Sequence, residues 1–283
     1  MSSKLHSFLT SSARSQKLAR AGEIAQLHLY LQSLLDSPRN ADERRLLKSG
    51  YRVYSQADED GILHEIFRRI GEGNRTFLEL GVGNGLENNT LFLLIQGWSG
   101  IWIEGSERKA SASKKNLAVQ ISEGRLQIEQ NFITAPTIDK KIATLAAGRE
   151  IDLLSIDLDG NDYYILDAIR SISPRVIVAE YNSKFPPDIP WIIEYNEAHR
   201  WDATDYFGAS LKSLELLLSG RGYSLVGCSV LGTNAFFVRT DLVTESRFCA
   251  PFTAENHYEP SRYFLLPAFQ AGHPVNFGPF RTK

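Results

Sequence analysis

The sequence predicts an α/β fold of Rossmann-like type: a mostly parallel sheet, finished by an antiparallel hairpin and preceded by N-terminal helices. Three observations predict it. Short apolar runs alternate with helical runs from Thr76 to Ser219. The first run ends on Glu79-Leu80-Gly81-Val82-Gly83-Asn84-Gly85, and two later strand-like runs flank Gly232-Thr233-Asn234. Strands that alternate with helices pair in parallel, because each helix returns the chain to the same end of the sheet. A glycine-containing turn between two apolar runs reads as a hairpin, which supplies the antiparallel end.

Residues 17–47 read as helix, with Ile24, Leu27, Leu31, Leu34 and Leu35 at helical spacing between polar residues. Ser37-Pro38-Arg39-Asn40 breaks the pattern, and a second short helix follows over Ala41 to Lys48. Strands are expected at Thr76–Leu80, Gly100–Ile103, Arg125–Glu129, Ile151–Ile156 and Arg175–Ala179, then at Tyr223–Ser229 and Ala235–Val238. Helices are expected between them at Asn89–Gln96, Ser106–Ser122, Ile138–Ala147, Tyr163–Ser171 and Leu211–Ser219. The fourth strand is nearly all apolar, as suits burial on both faces. Residues 182–207 carry Pro186, Pro187 and Pro190 and little periodicity; a connection this long reads as a lid or substrate loop. The chain thus divides into an N-terminal helical segment (1–50), a Rossmann-like domain (51–240) and a C-terminal tail (241–283) that wraps the surface.

Composition limits the partners. The chain has 283 residues, 43% hydrophobic and 23% charged, with a formal net charge of -2. Such a balance argues against nucleic acid or an anionic membrane as partner. Lys114-Lys115 and Lys140-Lys141 read as solvated helix faces. The two cysteines, Cys228 and Cys249, have no metal-ligand spacing and read as buried thiols of a reducing compartment. No apolar run approaches membrane-span length. Residues Met1 to Arg20 lack a secretory core and read as a frayed helix or arm, so a cytoplasmic location is expected. The stripe of Leu27, Leu31 and Leu34 lies outside the alternating pattern, and is expected to make a homo-oligomer by packing on a second copy.

Four motifs stand at the carboxyl ends of strands, where open α/β sheets bind ligands. In the first, the alternate glycines Gly81, Gly83 and Gly85 permit a tight turn and close approach of a ligand to the backbone. A dinucleotide site has its third glycine one residue later, to place a pyrophosphate on a helix N-terminus. Here the spacing is shorter and Glu79 precedes it, which favours a ligand with an ammonium and no pyrophosphate; S-adenosylmethionine fits. The second is Glu104, ending the second strand about 20 residues from the glycine loop, where an acid accepts hydrogen bonds from ribose hydroxyls. The third is Asp157-Leu158-Asp159-Gly160-Asn161-Asp162, with Asn161 or Asp162 expected to cap the next helix. An EF-hand reading fails, because loop position twelve is Ala168. The fourth is Glu180-Tyr181-Asn182; with Asp157 it offers oxygen ligands for Mg²⁺ or another divalent ion, or else it braces the lid.

The first three of these motifs, together with Tyr54-Ser55-Gln56, Glu59-Asp60-Gly61 and Gly97-Trp98, resemble FkbM-like class I methyltransferases from about Tyr54 to Arg239. The resemblance implies the class I methyltransferase fold with seven strands, the last antiparallel. It implies that Glu79, Gly81, Gly83 and Gly85 line the methionine part of S-adenosylmethionine and that Glu104 takes the ribose; Asn131, past the third strand, completes the expected cofactor set. Members of this group often methylate hydroxyls of sugars or natural products, so the expected partner is a small-molecule or glycan acceptor.

The expected reaction moves a methyl group from the sulfonium to a hydroxyl oxygen. Deprotonating that hydroxyl falls to Asp157, Asp159 or His199 as base, or to a divalent metal on Asp157, Glu180 and Asn182. Tyr181, Trp191, Tyr195 and Trp201 are expected to stack on the acceptor and exclude water. A nicotinamide-dependent oxidoreductase and a catalytically silent scaffold are the rival readings.

Overall fold

The computed structural model describes residues 2–158, 160–273 and 277. The chain runs through α1 (Ser2–Leu35), α2 (Glu59–Ile70), β1 (Thr76–Leu80), α3 (Leu91–Ile95), β2 (Ser99–Glu104), α4 (Glu107–Asn116), α5 (Ala118–Ser122) and β3 (Leu126–Gln130). It continues through α6 (Ala135–Ala146), β4 (Leu153–Ile156), α7 (Asp162–Ala168), β5 (Val176–Glu180), α8 (Leu211–Ser219), β6 (Tyr223–Cys228), β7 (Asn234–Arg239), α9 (Ala254–His257) and α10 (Leu266–Phe269). The strands form one sheet in the order β3-β2-β1-β4-β5-β7-β6. β1 to β5 pair in parallel, whereas β7 runs antiparallel to both β5 and β6. This is the Rossmann-like, seven-stranded mixed sheet with its closing hairpin. It departs from the dinucleotide-binding order by the antiparallel strand set between β5 and β6.

Strand side chains alternate between two apolar layers. Leu78, Leu80, Ile101, Ile103, Leu154 and Ile156 pack with Ile138 and Ile142 of α6, Ile165 of α7 and Leu211 of α8. Phe77, Trp102, Leu153, Val176 and Val178 pack on the other face with Ile62, Ile66 and Phe67 of α2 and Leu91 of α3. Each such side chain contributes about 1.5–3 kcal/mol when fully buried.

Several helices differ from their sequence expectation, three of them in the region before β3. α3 starts at Leu91 and not Asn89, and the Glu79 carboxylate takes the amides of Asn89 and Thr90 just ahead of it. The helix expected over Ser106–Ser122 breaks into α4 and α5 at Leu117, a wholly buried residue with φ -110° and ψ 24°. Residues Ala41 to Lys48 form turns and the start of a 3-10 turn, Leu47–Ser49, in place of a second helix.

The N-terminal stripe corrects an expectation. Leu27, Leu31, Leu34 and Leu35 pack within the chain, on Leu47, Ala57, Val230, Leu231 and Leu265. The hairpin loop and the tail supply the surface that a second copy was expected to provide. Among the described residues of the tail, Glu259 and Arg262 are bonded to the rest of the chain. Arg39 donates to Glu259 Oε1 at 2.7 Å, and Arg262 donates to Glu259 Oε2 at 2.7 Å and to the Val230 carbonyl at 2.9 Å. Cys228 and Cys249 are buried free thiols. No helix among the described residues is long and apolar enough to cross a membrane.

The acids of Glu59-Asp60-Gly61 turn out to be tethers. Asp60 Oδ2 accepts from the amides of Val53, Tyr54 and Ser55 at 2.6, 2.7 and 2.8 Å. Asp58 accepts from the Val230 amide at 3.0 Å, and Glu59 from Asn234 Nδ2 at 3.0 Å. A Cβ at Gly61 would stand 2.2 Å from the Ser49 carbonyl oxygen, so only glycine lets the preceding strap lie against α2.

Docking of α1 on its own chain predicts that Leu31→Ala lowers stability by about 1–2 kcal/mol, less than a fully buried leucine because Leu31 is half-buried. Urea unfolding measures it, and an unchanged midpoint at unchanged slope would show that α1 is not docked.

Candidate active site

The glycine turn after β1 divides its labour among three residues. Gly81 (φ +84°) passes so close to β4 that a Cβ would stand 1.8 Å from the Asp157 carbonyl oxygen. Gly85 (φ +74°) packs beneath Trp102, whose ring would be 2.8 Å from an added Cβ. Gly83 (φ +59°) meets nothing within 4 Å, so a side chain there would project into open space. Gly81 and Gly83 line a cavity of about 470 Å³, and Gly85 does not. Thus Gly81 and Gly85 shape the turn by packing, and Gly83 leaves room for a ligand.

Glu79 lies behind the cavity wall. It is 3% exposed, and its carboxylate accepts from the Asn89 amide at 2.9 Å, the Thr90 amide at 3.2 Å, Thr90 Oγ1 at 2.5 Å and Ser155 Oγ at 3.2 Å. Thr90 Oγ1 in turn accepts from the Trp102 indole at 2.7 Å. Burial pushes the Glu79 carboxyl up to about 7, against the hydrogen bonds from Thr90, Asn89 and Ser155, which pull it down.

Glu104 does line the cavity. Its Oε2 accepts from the Gly83 amide and its Oε1 from the Ser106 amide, both at 2.8 Å. One carboxylate therefore joins the glycine turn to the N-terminus of α4, at the strand end where a ribose diol is expected. Asn131 turns its backbone amide to the Glu104 carbonyl at 3.0 Å. The two residues after it, Phe132 and Ile133, line the cavity instead. Phe132 is 43% exposed, and the Arg200 guanidinium lies 4.2 Å from its ring centroid. Sequence reading missed Phe132 and Arg200. A lone aromatic after a strand and a lone arginine in a loop carry no motif.

Asp157 is exposed on the cavity wall. Asp159 falls outside the described residues. Asp162 accepts from the Leu158 amide at 2.7 Å and the Gly160 amide at 2.9 Å, so it folds the turn that presents Asp157. Asn161 holds the N-cap position without a side-chain cap; its Nδ2 donates to the Asn196 carbonyl of the lid at 2.8 Å. His199 lines the cavity, but its ring lies on Gly160, and Nε2 is buried without a hydrogen-bond partner.

The lid has no regular structure beyond an isolated bridge from Ile192 to Ala209. Of the four aromatics expected over an acceptor, Trp201 lines the cavity. Trp191 stacks on Phe185 at 4.4 Å, and Tyr195 packs on Tyr164 at 5.1 Å. Tyr181 is 1% exposed, and its hydroxyl donates to the Glu259 carbonyl at 2.6 Å.

The donors expected to hold a metal do not form a ligand set. Asn182 Nδ2 donates to the carbonyls of Asp205 at 2.9 Å and Phe207 at 3.1 Å, and its Oδ1 accepts from the Lys184 amide at 3.2 Å. It braces the lid. Glu180 ends β5 in register with Asn234 and is not on the cavity wall. Among the described residues no group of three or more His, Cys, Asp or Glu side chains is placed to hold a metal ion.

No protein-family model and no curated protein matches the chain. Among solved structures it is similar to the StiE O-methyltransferase segment (13% identity, TM-score 0.35), covering 59% of this chain and 53% of that one; the chain thus spans about half of that relative. It is similar to an S-adenosylmethionine-dependent methyltransferase from Clostridium acetobutylicum (12% identity, TM-score 0.40), over 75% of this chain and 98% of that one. It is also similar to the O-methyltransferase from Bacillus cereus in complex with SAH (14% identity, TM-score 0.38), over 76% and 89% of the two chains.

A carboxyl raised from 4.5 to about 7 by folding binds its proton more tightly in the folded chain. The Glu79 contribution to stability therefore falls as pH rises from 4.5 to 7. Wild type should lose up to about 3 kcal/mol relative to Glu79→Gln across that window, at about 1.4 kcal/mol per unit. Urea unfolding of both proteins over a pH series reads the difference; a flat difference would mean that Glu79 titrates as an ordinary carboxylate.

Proposed function

We propose that the chain is an S-adenosylmethionine-dependent methyltransferase that methylates a hydroxyl oxygen of a sugar, glycan or natural product. The observation that supports it most is the open space at Gly83 inside the cavity that Glu104 lines. A ligand there can approach the backbone of the turn while a carboxylate stands ready for hydroxyl groups. The short spacing to Gly85, which is packed under Trp102, leaves no third open glycine for a pyrophosphate and counts against a dinucleotide. The FkbM-like motifs supply the acceptor class in this reading.

The residues fit such a cofactor: Gly81 and Gly83 would border it and Glu104 would hold its ribose. When bound, it supplies a methyl group on a positively charged sulfur, already a strong electrophile. The chain supplies alignment and a proton acceptor. Asp157, exposed on the wall, is the better placed base, because Nε2 of His199 is covered by Gly160. Asp157 would take up the hydroxyl proton as the acceptor oxygen is methylated. Phe132 and Trp201 line the cavity and would limit water near the reacting atoms.

Calorimetry with S-adenosylhomocysteine tests the cofactor. Gly83→Asn should abolish binding with the fold intact, since asparagine tolerates the left-handed backbone but fills the open space. Glu104→Ala should weaken binding by about 1–3 kcal/mol through lost charge-assisted hydrogen bonds. Unchanged affinity in both variants would remove the cofactor from this cavity. For the reaction, a radiolabelled methyl donor offered with a panel of hydroxylated acceptors should label one of them, and Asp157→Asn should abolish labelling while cofactor affinity is kept.

A further inference from the structure

The glycine spacing favours a ligand with an ammonium, yet Glu79, the acid expected to meet it, does not reach the cavity. Glu79 is buried, and its carboxylate is taken by Asn89, Thr90 and Ser155. An ammonium in the cavity therefore needs another carboxylate, because a charge drawn out of water is costly when it stays unpaired. The same wall carries Lys109 and Arg200, which would repel an ammonium that had no acid beside it. Among the described residues three acids line the cavity: Glu87, Glu104 and Asp157. Glu104 is pinned by the amides of Gly83 and Ser106 at the place proposed for the ribose, and Asp157 stands where the hydroxyl proton would be taken up.

Glu87 is the acid that remains, and it is held in place. Its Oε2 accepts from Arg52 Nη2 at 3.1 Å and from Gln270 Nε2 at 3.5 Å. Arg52 is fixed in turn: its Nε donates to the Ser55 carbonyl at 2.7 Å and its Nη1 to the Phe269 carbonyl at 3.2 Å. The Arg52 side chain is 13% exposed and that of Glu87 43%, so a packed guanidinium holds a carboxylate that is open to the cavity. Among the described residues Oε1 of Glu87 has no hydrogen-bond partner, and it is the oxygen left for a ligand.

We propose that Glu87 accepts a hydrogen bond from the ammonium at the amino-acid end of the cofactor, and that Arg52 is the positioning residue that holds Glu87 at the cavity wall. The assignment rests on the S-adenosylmethionine reading of this cavity. An ammonium against a carboxylate is a charge-assisted pair, about twice as strong as a neutral hydrogen bond. It favours ligands with an amino-acid end over those that share only the base and ribose.

Calorimetry of the full chain with two ligands tests it. S-adenosylhomocysteine has the amino-acid end; methylthioadenosine keeps the base, ribose and sulfur and lacks that end. Glu87→Gln should weaken S-adenosylhomocysteine by about ten- to a hundredfold and leave methylthioadenosine unchanged. Arg52→Met should show the same split at smaller size, whereas an arginine that only braced the chain would change both ligands alike or neither. Equal S-adenosylhomocysteine affinity in wild type and Glu87→Gln, or an equal loss for the two ligands, would overturn the assignment and leave the cofactor reading standing. A wild type that binds neither ligand would remove that reading, and the role of Glu87 with it.

Discussion

The buried carboxylate of Glu79 holds the candidate site together. It gathers the first amides of α3, the Thr90 hydroxyl and Ser155 of β4 around one charge at the end of β1. Through Thr90 it also holds Trp102 of β2, the ring that lies over Gly85. An apolar residue at 79 would leave two amide and two hydroxyl donors without the acceptor they use in the interior, each costing about 1–3 kcal/mol. An isolated carboxylate there would suffer the full penalty of burial. The donors offset part of that penalty and tie β1 to the start of α3 and to β4 beneath the glycine turn.

The wall opposite this rigid floor is made differently. The lid is fastened by backbone carbonyls and amides, such as those that Asn182 and Asn161 engage, and by rings stacked among themselves. Its side chains over the cavity, Arg200 and Trp201, are exposed and lean on Phe132 or on the lid's own backbone. The glycine turn thus sits on strands and the facing wall on a loop, the kind of segment that varies most freely around a fixed scaffold.

Much of this was legible in the chain because the signals are local. Strands buried on both faces appear as apolar runs, and several turns after them hold glycines at positive φ, a conformation that few other residues adopt cheaply. The hairpin declared itself the same way. What could not be read depends on partners distant in sequence. The docking of Leu27 and Leu31 requires Val230, Leu231 and Leu265, which nothing in the helix announces. Asn182 has the chemistry of a ligand and the position of one, but the lid carbonyls that claim it exist only after folding. Phe132 becomes a cavity residue because β3 ends beside β2, a matter of strand order and not of composition.

The placing of β7 has a consequence for synthesis on the ribosome. β5 borders β7 in the finished sheet, so its outer edge has no partner until Asn234–Arg239 has been made, after the lid, α8 and β6. During that interval Val176–Glu180 offers a row of free backbone groups on an apolar strand, the kind of edge that recruits strands from neighbouring nascent chains. The tail that carries Glu259 and Arg262 is translated later still, and with it comes the clasp on Arg39 that ties the earliest segment to the last. A truncated message would therefore yield an aggregation-prone product well before it yields a shortened but soluble one.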